Sequence, residues 1–326
     1  MILTRTPLRI SIAGGGTDLP SYYRRFGGSL ISAAITKYIY VGVNQTFSPG
    51  YQVKYSRFEH VDTIDEIQHP IVREALRRHG TPPSIEIISL ADIPAGTGLG
   101  SSGTFAVGLL RALHAAKRGY VTAEALAEEA CHIEIDVLRH PIGKQDQYIA
   151  SYGGVTCFEF NPDDSVTASP LAISNQTFTD LEENLLLFFT GYSRAATDIL
   201  SDQDKRTTGN DAAMIENLHY VKQLGAEIKV ALEQGDTHEF GRLMHDHWEM
   251  KRKRSANMSN GDIDRWYEVG RDAGAIGGKM VGAGGGGFLL FYATDRTRLR
   301  AAMARENLME VPFRFDHDGS TTIMRD

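Results

Sequence analysis

Cysteine is nearly absent. Cys131 and Cys157 are the two in 326 residues, too few for a disulfide framework, so the expected compartment is a reducing cytoplasm. Long apolar runs are also missing. The densest, Leu185 to Phe189, is far short of the roughly 20 residues a spanning helix needs, so no membrane partner is expected. Nor is there an excess of positive charge. Lys and Arg number 34 against 41 Asp and Glu, a formal charge of −7, which offers no support for nucleic-acid or membrane-surface binding. No apolar segment precedes Pro7 and Arg9, so no signal peptide is read there. Internal repeats and low-complexity segments are lacking too. What remains is 42% apolar and 23% charged, the balance of a globular protein long enough for one large or two medium domains.

Glycine is concentrated, and its placement carries the chemistry. Ser84 to Leu90 alternates apolar and polar residues, as a half-buried strand does, and Phe105, Leu109 and Leu113 repeat at helical spacing. Between them runs Pro94-Ala95-Gly96-Thr97-Gly98-Leu99-Gly100-Ser101-Ser102-Gly103. Gly96, Gly98 and Gly100 let the backbone approach a ligand closely, and the helix starting at Ser101 offers unpaired amides and a positive dipole end. This is a phosphate cradle; the plainer alternative is a tight structural turn. Gly98-x-Gly100-x-x-Gly103 matches a dinucleotide fingerprint, but Gly119 to Thr122 leads into another helix rather than a second parallel strand with an acidic end. No Lys precedes the serines, so a Walker loop is excluded.

Other candidates lie along the chain. Leu8, Ile10 and Ile12 alternate with Arg9 and Ser11, a strand that runs into Gly14-Gly15-Gly16-Thr17-Asp18. Asp18 reads equally as a helix cap or as an acceptor for substrate hydroxyls. Strands are predicted at 28–34, 37–47 and 155–160, and a helix at about 71–79. A helix capped by Thr122 runs to about Leu138 and places Glu134 on an apolar stripe, a costly position unless the carboxylate is paired or binds metal. Asp146 follows the turn Pro141 to Gly143 as cap or catalyst. The polar turn Asn161 to Ser165 is the expected boundary between domains 1–165 and 166–326. Beyond it come a strand at 184–190, then Ser193-Arg194, which could contact substrate or cap a surface segment. Helices follow at about 212–234, 237–250 and 263–272. Lys251 to Arg254 reads first as a solvated helix end, with binding of a sugar-borne phosphate as the alternative. A glycine-dense string from Gly277 to Gly287 precedes a strand at 288–292, a helix at 296–306 and strands at 311–315 and 321–324.

The string Pro94 to Ser102 resembles the nucleotide-phosphate motif of the GHMP kinases, the superfamily of galactokinase, homoserine kinase, mevalonate kinase and phosphomevalonate kinase. Pro7-x-Arg9-x₄-Gly14-x₂-Thr17-Asp18 is similar to the galactokinase N-terminal signature, Glu134-x₁₁-Asp146-Gln147 to the metal and catalytic segment, and Gly277 to Phe288 to the third GHMP motif. The resemblance covers essentially the whole chain. It implies an α+β fold of two domains, the C-terminal one ferredoxin-like, with the active site in the cleft between them. It implies ATP phosphates held by Pro94, Gly96, Gly98, Leu99, Gly100, Ser101, Ser102 and Gly103, and Mg²⁺ held by Ser102 and Glu134. Asp146 becomes the acceptor of the attacking hydroxyl's proton, and Arg9 the neutraliser of charge on the transferred group. Thr17, Asp18, Gly15, Gly16, Arg194, Gly284 and Gly285 fall to the sugar. Galactokinases carry Glu and His where Gly15 and Gly16 stand here, so a larger or phosphorylated substrate is expected.

Among the branches, the D-glycero-D-manno-heptose 7-phosphate kinases look nearest. The strings that carry this are Pro7 to Pro20, Ser193-Arg194 and His247-Trp248-Glu249-Met250-Lys251-Arg252-Lys253. The implied partner is a small-molecule sugar phosphate, with a homodimer as a further expectation and no nucleic acid or membrane. Arg24, Arg25, Arg194 and Lys251 are candidates to receive the substrate phosphate. The competing readings are a kinase of an unphosphorylated sugar such as galactose or fucose, a non-catalytic ATP and sugar sensor, and a nicotinamide-dependent oxidoreductase.

Overall fold

Leu8, Ile10 and Ile12 are fully buried on β1 (Ile2–Ala13). The computed structural model describes residues 1–191, 196–255 and 258–325. β1 starts earlier than its apolar alternation predicts because two buried threonines satisfy their hydroxyls inside the fold. Thr4 Oγ1 donates to the carbonyls of Val41 and Gly108 at 3.2 and 2.9 Å, and Thr6 Oγ1 meets Ser320 Oγ at 2.9 Å. The Gly14–Gly16 turn leads into α1 (Pro20–Phe26) and then β2 (Gly28–Gln45). β2 is one strand where the sequence predicts two. The interruption near Thr36 is absorbed by a register shift opposite Pro7 and Leu8 of β1.

β3 (Tyr51–Lys54) and β4 (Phe58–Val61) form a hairpin, followed by α2 (Pro70–Arg78) and β5 (Ile85–Ala91). The phosphate-loop helix α3 (Ser101–Ala116) is buried along most of its length, as its apolar spacing predicts. Thr122 caps α4 (Ala123–Cys131), accepting from the Ala125 amide at 3.1 Å. The helix then widens into a π turn over His132–Val137. α5 (Gln145–Tyr152), β6 (Val155–Phe160) and β7 (Val166–Pro170) complete this region. The turn over 161–165 joins β6 to β7 within one sheet, so the strand pairing passes beyond Ser165.

The second half begins with α6 (Asn175–Asn184) and β8 (Leu185–Phe189), then the helices α7 (Ala196–Thr208), α8 (Ala212–Glu233), α9 (Thr237–Arg252) and α10 (Gly261–Asp272). β9 (Gly277–Met280), β10 (Phe288–Tyr292), α11 (Arg296–Arg305), β11 (Met309–Glu310) and β12 (Thr321–Arg325) follow. Among the described residues the first sheet has eight strands, β12-β1-β2-β5-β3-β4 with β6 and β7 beside the first part of β2. The second sheet is antiparallel, in the order β11-β8-β10-β9. Its β8–helices–β9–β10–α11–β11 connectivity is the split βαβ plan of a ferredoxin-like domain, as expected.

Two strand expectations change. Gly277 to Met280, read as loop, is a buried edge strand. The segment 311–315 is not a strand, because it leaves β11 to cross toward the first sheet, where Phe315 makes a single bridge to Ile35. One apolar core runs through both halves, with Ile10 and Ile31 joined to Leu187, Phe240 and Leu290. No described helix is long and apolar enough to cross a membrane.

Candidate active site

Gly100 begins the site. Its φ of +81° is a left-handed position, and a Cβ there would meet Arg9 Cγ and Asp146 Cγ at 3.2 Å. Gly100 is also the residue before α3 and supplies no side-chain cap, so the first amides of α3 stay free for a ligand. At Gly103 an added Cβ would lie 2.8 Å from Asp146 Cβ. These two glycines therefore let the first turn of α5 bring Asp146 against the head of α3. Arg9 holds it there, its Nε and Nη2 both 2.7 Å from Asp146 Oδ1. Arg9 Nη1 donates to the Gly98 carbonyl at 2.5 Å, and the Arg9 amide to the Leu99 carbonyl at 3.1 Å. Strand β1 thus clasps the phosphate loop.

Glu134 has no solvent exposure, and it sits in the π turn that follows α4. Ser102 Oγ donates to one of its oxygens and Gln147 Nε2 to the other at 2.7 Å. His140 Nδ1 stands 3.8 Å away. The two side chains that hydrogen-bond Glu134 are neutral. A buried carboxylate with neutral partners, next to a serine hydroxyl at the phosphate cradle, suits a hard divalent cation by its all-oxygen chemistry.

The other wall is cationic. His247, Lys251 and Arg254 share one face across the end of α9, and Lys279 extends from β9. Lys251, Arg254 and Lys279 are each at most 5% exposed. Lys279 Nζ donates to the Ile12 carbonyl at 3.0 Å, and Lys251 Nζ to the carbonyls of Met280 and Gly282 at 2.9 and 2.5 Å. Arg254 Nε bonds Asn217 Oδ1 at 3.1 Å, and its Nη1 bonds the Gly15 carbonyl and Gln203 Oε1 at 3.2 Å. Its Nη2 is buried with no partner. All these acceptors are neutral. Burial, with Arg254 and Arg9 nearby, pushes Lys279 down to about 7. Burial also lowers Arg254 to about 10, and Lys251 and His247 well below their usual ranges. The reading of Lys251 to Arg254 as a solvated helix end is therefore corrected for Lys251 and Arg254. β9 and the Gly14–Gly16 turn supply carbonyls that no local pattern reveals.

Asp18 faces this wall. Its oxygens accept from the amides of Gly16 and Gln145, both at 3.1 Å, and burial raises its pKa. Gly143 must be glycine, since a Cβ there would fall 2.0 Å from Asp18 Oδ2. Gly16 leaves room for Arg254, whose Nη1 would be 2.4 Å from a Cβ at position 16.

These walls enclose a cleft of about 740 Å³. Arg9, Gly15, Gly16, Asp18, Gly96, Gly98, Gly100, Ser101, Ser102, Gly103, Glu134, Asp146 and Gly284 line it. Four expected residues do not. Pro94 points to solvent, Leu99 lies in the core, Thr17 turns its hydroxyl to the carbonyls of Gly14 and Ser29, and Gly285 bonds the Met258 carbonyl. Arg194 and Ser193 fall outside the described residues. Arg24 pairs with Asp164 and Arg25 bonds the Thr207 carbonyl, both away from the cleft. Sequence reasoning missed Lys279, Gln203 and the apolar end formed by Ile39, Tyr55, His69, Ile71, Ile93 and Phe105. A signal existed for the cationic wall, since His247, Lys251 and Arg254 stand at i, i+4 and i+7.

Comparison with known proteins agrees with this geometry. The family model of the GHMP kinases N-terminal domain matches residues 67–154, and that of the GHMP kinases C-terminal domain matches residues 228–308. A D-glycero-alpha-D-manno-heptose 7-phosphate kinase of Campylobacter jejuni is 31% identical over 98% of this chain and 97% of its own. The crystal structure of a D-glycero-D-manno-heptose 1-phosphate kinase from Bacteroides thetaiotaomicron has a TM-score of 0.81 at 27% identity, covering 100% of both chains. Lactococcus lactis galactokinase, at 16% identity, shares the fold with a TM-score of 0.78 over 99% of this chain and 95% of its own. With both domain models matched in order and a relative aligned nearly end to end, the chain belongs to the GHMP kinases, a family of ATP-dependent kinases.

Proposed function

We propose that the protein transfers the γ-phosphoryl group of ATP to the anomeric hydroxyl of a D-glycero-D-manno-heptose 7-phosphate, giving the 1,7-bisphosphate. The observation that carries the substrate assignment is the group of buried cations at the sugar end, bonded to neutral acceptors. Buried charge of this kind is costly without a counter-ion, and a phosphate borne by the sugar supplies one. The Campylobacter and Bacteroides relatives both have names that specify a heptose phosphate. A neutral sugar would bring no anion to Lys279 and would leave Arg254 with only the charge of Asp18 facing it, which disfavours the galactose and fucose alternative.

The cleft divides into three parts. The apolar end at Tyr55, His69, Ile71 and Phe105 takes the adenine, and the amides of α3 take the phosphates. Asp146 accepts the proton of the attacking hydroxyl as the new bond to phosphorus forms, while Arg9 neutralises charge on the transferred group. Ser102 and Glu134 would hold Mg²⁺, whose charge would offset that of the phosphates. Asp18 accepts sugar hydroxyls, and Arg254 Nη2, Lys279 and Lys251 receive the 7-phosphate. Cytoplasmic action and a homodimer belong to the same proposal.

The test is Mg-ATP turnover on heptose 7-phosphate, free heptose, galactose and fucose, with the parent and with Arg254→Gln. A strong preference for the phosphorylated heptose is expected. Arg254→Gln should raise KM for that substrate by about 10- to 100-fold, the range for a hydrogen bond to a charged group, with little change for free heptose. Equal kcat/KM on free and phosphorylated heptose would discard the phosphate subsite. ATP binding without turnover on any sugar would leave the sensor reading.

A further inference from the structure

A second cluster of chemically competent side chains lies away from the cleft. His79 ends α2, His114 stands in the last turn of α3, and Glu129 lies within α4. His114 lies thirteen positions after Ser101 along α3, about 20 Å at the helical rise. Glu129 is shared between the two rings. Its Oε2 is 2.7 Å from His114 Nε2, and its Oε1 is 3.2 Å from His79 Nε2. The three ligand atoms lie within 4.8 Å of one another, and the rings meet edge-on.

His79 is 8% exposed, and its buried Nε2 stands 3.2 Å from Glu129 Oε1 without a well-formed hydrogen bond. A buried ring nitrogen without a partner needs an explanation, and the lone pair of a neutral imidazole is a metal ligand.

We propose that His79, His114 and Glu129 form a zinc site. Two imidazole nitrogens and one carboxylate oxygen suit Zn²⁺, with water in the fourth position, and suit Mg²⁺ or Ca²⁺ poorly. Arg78 Nε donates to Glu129 Oε1 at 2.9 Å, but its side chain is 46% exposed and can move into solvent when the metal binds. The Lys117 ammonium is already taken by the His79 carbonyl. Bound zinc would staple α2, α3 and α4 at this end. At the other end, the segment leading into α2 and the first turn of α3 line the cleft, and the π turn after α4 carries Glu134.

The test uses the chelator-treated full chain, titrated at pH 7.5 with Zn²⁺ and then with Co²⁺ as a spectroscopic probe. About one equivalent of Zn²⁺ is expected to bind at micromolar Kd or tighter, with a rise in Tm and with visible Co²⁺ bands of tetrahedral intensity. His114→Ala and Glu129→Gln should weaken uptake by about tenfold or more and lose the zinc-dependent rise in Tm, while zinc-free Mg-ATP turnover stays at the parent level. His114→Gln provides a conservative second variant, with circular dichroism reporting its fold. No zinc uptake by the parent, or equal uptake by parent and folded variants, overturns the proposal.

Discussion

Asp146 and Arg9 are opposite charges placed so that neither neutralises the other's task. Arg9 occupies Asp146 Oδ1 with two nitrogens, and Oδ2 takes no part in that pair. One carboxylate oxygen is thus oriented and the other is available to a hydroxyl. Asp146→Asn keeps an oxygen for Arg9 but removes the proposed acceptor of the hydroxyl proton. The expected loss is about 10²- to 10⁴-fold in kcat, the usual range for a general base, with KM for ATP and sugar changed only a few-fold. Steady-state kinetics on both substrates measure this. A kcat above about a tenth of the parent would remove Asp146 from the proton transfer.

At the scale of elements, the two glycine loops meet backbone to backbone. A Cβ at Gly98 would lie 2.9 Å from the Val281 carbonyl, and one at Gly282 would lie 2.4 Å from the Gly98 carbonyl. The phosphate loop can therefore keep its shape only while the loop after β9 approaches without side chains. Gly282→Ala, at φ +73°, should cost about 1–2 kcal/mol in backbone strain alone and, by pushing the loops apart, raise KM for ATP. Gly274→Ala is the control. It has φ +96° and nothing within 4 Å of an added Cβ, so denaturant midpoints should fall for both variants while KM for ATP moves only for Gly282→Ala. The same comparison explains what was legible in the sequence. The 94–103 loop and Glu134 carry local signatures, glycines where φ is positive and a carboxylate on an apolar stripe. The continuity of β2 was not legible, because a register shift depends on its partner strand. The burial of Lys251 and Arg254 was not legible either, because the carbonyls that receive them come from β9 and from Gly15.

At the scale of the whole molecule, the halves join around charge that folding must remove from water. Lys279 on β9 donates to the Ile12 carbonyl on β1, linking the two sheets, and Arg254 reaches the Gly15 carbonyl from the end of α9. The folded chain pushes Lys279 down to about 7 from 10.5, chiefly through burial and then through Arg254 and Arg9. Between those two values the unfolded chain holds a proton on this lysine that the folded chain has lost. Stability of the ligand-free protein therefore rises with pH across that window, and below about 7 the cost of the buried charge is fully present. Lys251 is shifted the same way and contributes with the same sign, whereas His247, lowered from 6.5, contributes only below that value. Urea midpoints from pH 6.5 to 9 should increase in the parent. In Lys279→Met the rise should be shallower and the protein more stable at pH 6.5, because replacing an uncompensated buried ion with an apolar side chain removes its desolvation cost. Under the proposed function a phosphorylated heptose would supply the missing counter-charge and restore the proton to Lys279, so it should raise the midpoint more at pH 6.5 than at pH 8.5. A midpoint that falls with pH in the parent, or identical slopes in parent and variant, would mean that Lys279 keeps its proton in the fold and that the cationic wall is not poised for an anion.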